Sequence, residues 1–245
     1  MDHQEKEAIL HGEKKGLFGK FQDYLSEFVY GGIDGSVTTF AVVAGAAGAS
    51  LDSAIVIILG FANLIADGFS MSVGSYLSTK SEKEAYNKHK KIEYWEVDNI
   101  PEKERQEIRE IYQQKGFEGE LLEKVVNKIT EDKDRWVDVM MKEELEMTPE
   151  SKSPLGMGLV TFISFLIMGF IPLLIYVVDY FNSRDLNLFL ISCILTSGCF
   201  LGIGYLKSIV NHTSKLRSIL ETLLLGGAAA VLSYFVGSIL EKIVT

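Results

Sequence analysis

Long apolar runs, separated by short polar clusters, dominate the pattern along this chain. Ser153–Val178 is 26 residues without a charge, Leu186–Leu206 is 21 and Thr222–Leu240 is 19. About 20 apolar residues at roughly 1.5 Å rise each cross a hydrocarbon core of about 30 Å, so each run predicts a transmembrane helix. Phe28–Thr79 is equally apolar but is interrupted by Asp34, Asp52 and Asp67. Gly48-Ala49-Ser50-Leu51-Asp52 reads as a tight turn, which divides this stretch into spans at about 28–49 and 53–78. The count is five helices, and Pro172 is expected to kink the third.

Between the second and third spans the pattern changes. Ser78 to about Tyr94 continues the second span as a helix without Gly or Pro, ended by Asp98-Asn-Ile-Pro101. Pro101 suits the first turn of the next helix, which carries Ile108, Ile111 and Tyr112 on one face and stops at Lys115-Gly116. A short helix at about Glu120–Ile129 follows. Thr130-Glu-Asp then caps a last one predicted over Lys133–Met147.

Charge sharpens this division. Residues 81–150 hold 20 Asp/Glu and 13 Lys/Arg, which is 33 of the chain's 57 charged residues and −7 of its net −9. A single soluble core does not segregate charge in this way. The chain reads as an all-α membrane protein: residues 1–27 a cytosolic amphipathic segment, 28–79 spans one and two, 80–152 a charged helical insertion, and 153–245 spans three to five. Lys6, Lys14, Lys15, Lys20, Lys80, Lys83, Lys207, Lys215 and Arg217 fall on one side, against Arg184 and Lys242 on the other. By the positive-inside rule the N-terminus and the insertion are cytosolic. The polar first 20 residues argue against a cleavable signal peptide. The acidic surface excludes nucleic acid as a natural partner. Cys193 and Cys199, six residues apart in the fourth span, are expected to be packing residues rather than a disulfide.

Two aspartates lie within predicted spans. An ionised carboxylate in hydrocarbon costs at least ~2.5 kcal/mol, so Asp34 and Asp67 are expected to face a bundle interior or an aqueous pathway. Each is about 16 residues from the intervening turn, or roughly 25 Å along its helix, which sets the two level in an antiparallel pair. Asn63, Asp67 and Met71 recur at i, i+4 and i+8, and Ser75 continues the stripe. An amide oxygen, a carboxylate and a thioether together suit Fe²⁺, and less selectively Mn²⁺, Co²⁺ or Zn²⁺, better than Ca²⁺ or Mg²⁺. Small-xxx-small pairs in the first span, Gly31–Gly35, Ala41–Gly45 and Ala44–Gly48, allow close helix approach within the bundle or across a dimer. In the insertion, Glu93 and Glu96, and Glu104 and Glu107, are three residues apart, and Met140 and Glu144 are four apart beside Met141. Paired carboxylates from separate helices build oxygen-rich metal sites, although any one such pair is more often an ordinary solvated face.

Three segments resemble the vacuolar iron transporter family: Tyr30-Gly-Gly-Ile-Asp-Gly-Ser-Val-Thr-Thr-Phe40, Ala66-Asp-Gly-Phe-Ser-Met-Ser-Val-Gly-Ser-Tyr-Leu-Ser78 and Trp136-Val-Asp-Val-Met-Met-Lys-Glu-Glu144. The resemblance runs from about Phe28 to the C-terminus. It implies a homodimer of five-span protomers with a cytosolic helical metal-binding domain between spans two and three. The implied activity is export of Fe²⁺, or of Mn²⁺ and similar ions, from the cytosol in exchange for protons, with no prosthetic group. It further implies pore residues at Asp34 and Met71, and cytosolic metal ligands at Glu93, Glu96, Glu104, Glu107, Met140, Met141 and Glu144. Ser75 departs from the family, many of whose members have Glu there; Asn63 replaces a pore carboxylate, with Asp67 supplying the acid. The N-terminal ferritin-like domain of some relatives is not expected in the 27 residues before Phe28. Rival readings are a Mn²⁺-selective exporter, a membrane di-iron oxidase and a non-transporting metal-binding anchor. The oxidase is disfavoured because the insertion has His89 as its sole histidine and lacks Glu-x-x-His spacing. The membrane is either a cell envelope or that of an organelle.

Overall fold

A computed structural model describes residues 24–182 and 187–244, and is helical throughout them, with no strand. Lys6, Lys14, Lys15, Lys20 and Arg184, used above for orientation, lie outside the described residues. The helices are α1 Leu25–Gly48, α2 Ser53–Asn99, α3 Pro101–Gln114, α4 Gly119–Thr130, α5 Lys133–Glu143, α6 Pro154–Phe170, α7 Leu174–Asn182, α8 Leu188–Val210 and α9 Lys215–Val244. Five helical segments are long and apolar enough to cross a membrane: Leu25–Gly48, Ser53–Asn99, Pro154–Phe181, Leu188–Val210 and Lys215–Val244. Their outward faces carry Ile58, Phe69, Ile194, Leu224 and Leu232, each more than 60% exposed, a distribution suited to lipid rather than water.

The chain forms two compact units, one of Leu77–Ser151 and one of the residues on either side. In the membrane unit, glycines set how closely helices approach α1. A Cβ on Gly35 would lie 2.9 Å from Phe165 Cα, and one on Gly31 would lie 2.8 Å from the Thr161 carbonyl oxygen, so α1 rests against the backbone of α6. A Cβ on Gly48 would meet the Tyr234 backbone, and one on Gly237 the backbone of Gly45, which seats the other half of α1 on α9. These small residues are therefore used in packing within the chain. The α1–α2 turn closes through Ser50, whose φ of 54° is left-handed, and through the Leu51 amide donating to the Ala46 carbonyl at 3.0 Å. Around Pro172, residues Ile171–Leu173 tighten to a 3₁₀ turn between α6 and α7, because proline has no N–H to continue the ladder. Ser192 Oγ on α8 donates to the Pro172 carbonyl at 2.7 Å. Cys193 and Cys199 are free thiols, and Cys199 Sγ lies 3.9 Å from Met168 Sδ.

The Leu77–Ser151 unit closes around Val97, Ile108, Leu122, Val126, Ile129, Trp136, Val137, Met140 and Met141. Its helix limits follow the sequence signals except at the end of α5. That helix stops at Glu143 rather than continuing to Met147. Glu146 adopts a φ of 52°, and the Leu145 and Met147 amides turn back to the carbonyls of Met140 and Met141 at 3.2 and 2.8 Å. This is a left-handed helix stop made without the glycine that usually marks one.

Candidate metal centre

The arrangement of the acidic residues follows from helix register. Val97 lies four residues after Glu93 on α2, and Ile108 four residues after Glu104 on α3; both apolar residues are core. Side chains four apart share a helix face, so Glu93 and Glu104 are carried inward with their apolar neighbours. They are 3% and 1% exposed. Glu96 and Glu107, three residues on, stand partly exposed at the rim. The corner between the helices is tight: the Ile100 amide donates to the Glu96 carbonyl at 2.7 Å, and Pro101 begins α3 at once.

Helix α5 is fastened to α2 along its length. Lys90 pairs with Asp138 at 2.9 Å, the Tyr94 hydroxyl donates to Asp134 at 2.6 Å, and Lys133 pairs with Asp98 at 2.6 Å. Asp132 caps α5, accepting from the Arg135 amide at 2.8 Å. Val137, Met140 and Met141 anchor the helix in the core, and Glu144 follows at its C-terminal cap.

Five predicted ligands thereby come together. Glu93, Glu96 and Glu104 offer carboxylate oxygens all within 4.8 Å of one another, and so do Glu104, Glu107 and Glu144. Glu104 is common to both groups. Both of its oxygens, and Oε2 of Glu93, are buried without a hydrogen-bond partner among the described residues. Burial pushes the Glu104 carboxyl up to about 7, aided by repulsion from Glu107, Glu96 and Glu93. Burial likewise pushes Glu93 up to about 7, with repulsion from Glu144, Glu96 and Glu107. Glu144 is raised by burial and by Glu107 and Glu96. Like charges held this close are tenable only with shared protons or a cation among them, and an all-oxygen set suits hard and borderline divalent ions. Met140 and Met141 are fully buried in the apolar core of this unit. Sequence reasoning did not single out Lys103, whose ammonium lies 2.8 Å from Glu107 and 3.9 Å from Glu104. Its i, i+4 spacing to Glu107 was the available signal.

In the membrane unit, Asp34 and Asp67 are both half-buried and lie within electrostatic reach of each other, as their equal distance from the turn predicts. The Asn63 amide nitrogen is buried without a partner among the described residues. Met71 is 36% exposed. The α2 segment bearing them is held to α6 where Gly68 admits Phe165 and Phe162, and where Ser72 Oγ donates to the Gly158 carbonyl at 2.9 Å.

A family model described as the VIT family matches residues 25–238. The chain is 34% identical over 229 residues to the vacuolar iron transporter of Toxoplasma gondii (strain ATCC 50861 / VEG), covering 91% of this chain and 76% of that protein. It is 33% identical to the vacuolar iron transporter of Plasmodium falciparum (isolate 3D7), over 95% of this chain and 86% of that one. With vacuolar iron transporter 1 of Arabidopsis thaliana it shares 31% identity over 97% and 94% of the two chains. All three are named as transporters, in agreement with a chain that is not an enzyme. With a family match spanning most of its length and relatives of 34% and 31% identity covered over 76% and 94% of their lengths, the chain belongs to the VIT family.

Proposed function

We propose that this protein transports Fe²⁺ and related divalent metals out of the cytosol in exchange for protons, working as a homodimer in an organelle or cell membrane. The observation that carries this reading is the carboxylate cluster around Glu104, whose buried oxygens lack partners and whose charge calls for a cation. The names of the relatives support iron as the substrate, and Mn²⁺, Co²⁺ and Zn²⁺ share the chemistry. Glu93, Glu96, Glu104, Glu107 and Glu144 capture the ion on the cytosolic side, and Met140 and Met141 favour softer ions. The ion then passes to Asp34, Asp67, Asn63 and Met71 within the membrane. There a divalent cation neutralises two like charges in low dielectric, and protonation of the aspartates from the far side releases it. With the N-terminus and the Leu77–Ser151 unit in the cytosol, the C-terminus lies outside or in the lumen.

Purified protein in liposomes, with an Fe²⁺-quenched dye inside, tests the reading. An acidic interior should stimulate Fe²⁺ entry. Flux indifferent to the gradient would remove proton exchange, and no flux from folded, oriented protein would favour a metal-binding anchor.

A further inference from the structure

Among the described residues, Lys103 is the cation that reaches the carboxylate cluster. It stands in the first turn of α3, 63% exposed, with its ammonium 2.8 Å from Glu107 Oε1 and 3.9 Å from Glu104 Oε1. An ordinary i, i+4 pair joins two solvated side chains. Here the i, i+4 partner, Glu107, is only partly exposed, and the adjacent Glu104, 3.9 Å from the same ammonium, is 1% exposed with oxygens that accept no hydrogen bond among the described residues, so the ammonium also lies near a buried carboxylate. A lysine head is a point charge on a flexible four-carbon stem, without the fixed fork that would lock an arginine in place.

We propose that Lys103 is a tethered counter-ion of the capture site: its ammonium stands in for the metal while the site is empty, and swings to solvent when a divalent cation takes Glu107 and Glu104. This inference rests on the carboxylate cluster being the capture site. Lys103 is then a positioning residue that competes with the metal for Glu107 and Glu104, and it sets the metal concentration at which the site loads. A competing unit charge near a divalent ion at the water interface weakens binding by about tenfold at low ionic strength, less as salt rises.

The test is calorimetric titration of the full-length detergent-solubilised protein with Mn²⁺ at pH 8, for wild type, Lys103→Gln, Lys103→Arg and Glu104→Gln. The neutral Lys103→Gln variant should bind about tenfold more tightly, with the gap narrowing in salt, while Lys103→Arg stays within about twofold of wild type. Lys103→Met serves as a second neutral variant should the glutamine form fold poorly. Binding by wild type that is lost in Glu104→Gln but unchanged or weakened in both neutral variants would overturn the counter-ion role alone. A wild type that binds no Mn²⁺ would overturn the capture site, and this inference with it.

Discussion

Replacing Glu104 by glutamine keeps the side chain's shape and removes its charge from both three-carboxylate groups at once. The proton inventory gives the first magnitude. Glu93 and Glu104 both titrate at about 7, so at neutral pH each is about half protonated. Metal takes only the carboxylate form, so wild type should release about one proton per ion bound. In the variant one titrating group is gone, and release falls to about half a proton or less. Affinity falls too: a unit charge about 4 Å from the ion is worth about 4 kcal/mol at an effective dielectric of 20, partly offset by relief of desolvation. A loss of at least about tenfold is expected. Titration with Mn²⁺ at pH 7, in two buffers of different ionisation enthalpy, reads both quantities. Wild type that releases no protons, or a glutamine variant matching it in affinity and release, would refute the buried-cluster reasoning.

The same two carboxyls make the metal-free fold sensitive to pH. Their folded pKa of about 7 lies above the ordinary 4.5, so the folded state binds more protons across that window. The stability these two groups contribute is therefore fully present below 4.5 and is lost as pH rises through 7, by up to about 3 kcal/mol for a single group. Thermal unfolding followed by circular dichroism should show a lower midpoint at pH 8 than at pH 5, with Mn²⁺ restoring it; a midpoint that rises with pH contradicts this. Gly35→Val would drive a side chain into the α6 backbone beside Phe165, and should cost roughly 1–3 kcal/mol or more in detergent. An unchanged unfolding midpoint would mean that α1 and α6 are not packed as described.

Much of this was legible beforehand because the membrane and the helix impose strict periods. Uncharged runs located three of the five spans, the Gly48–Asp52 turn divided the other two, and Pro101 and Gly116 punctuated the insertion as expected. Equal distance from one turn was enough to bring Asp34 and Asp67 into electrostatic reach. Spacing alone could not say which glutamates of each pair turn inward; the apolar residue four positions on, Val97 or Ile108, decides it. The early end of α5 was hidden because Glu146 adopts a left-handed conformation with no glycine to announce it. Lys103 is hard to recognise for a related reason, since its i, i+4 spacing to Glu107 looks like any surface pair until the adjacent Glu104 is found buried.

In the function proposed, metal crosses the membrane past Asp34. Fe²⁺ flux into liposomes of acidic interior, compared for wild type, Glu104→Gln and Asp34→Ala, tests it most directly. Asp34→Ala should fold but transport nothing, while Glu104→Gln should still transport and need more Fe²⁺ to reach half its maximal rate. Wild-type flux through Asp34→Ala would contradict it.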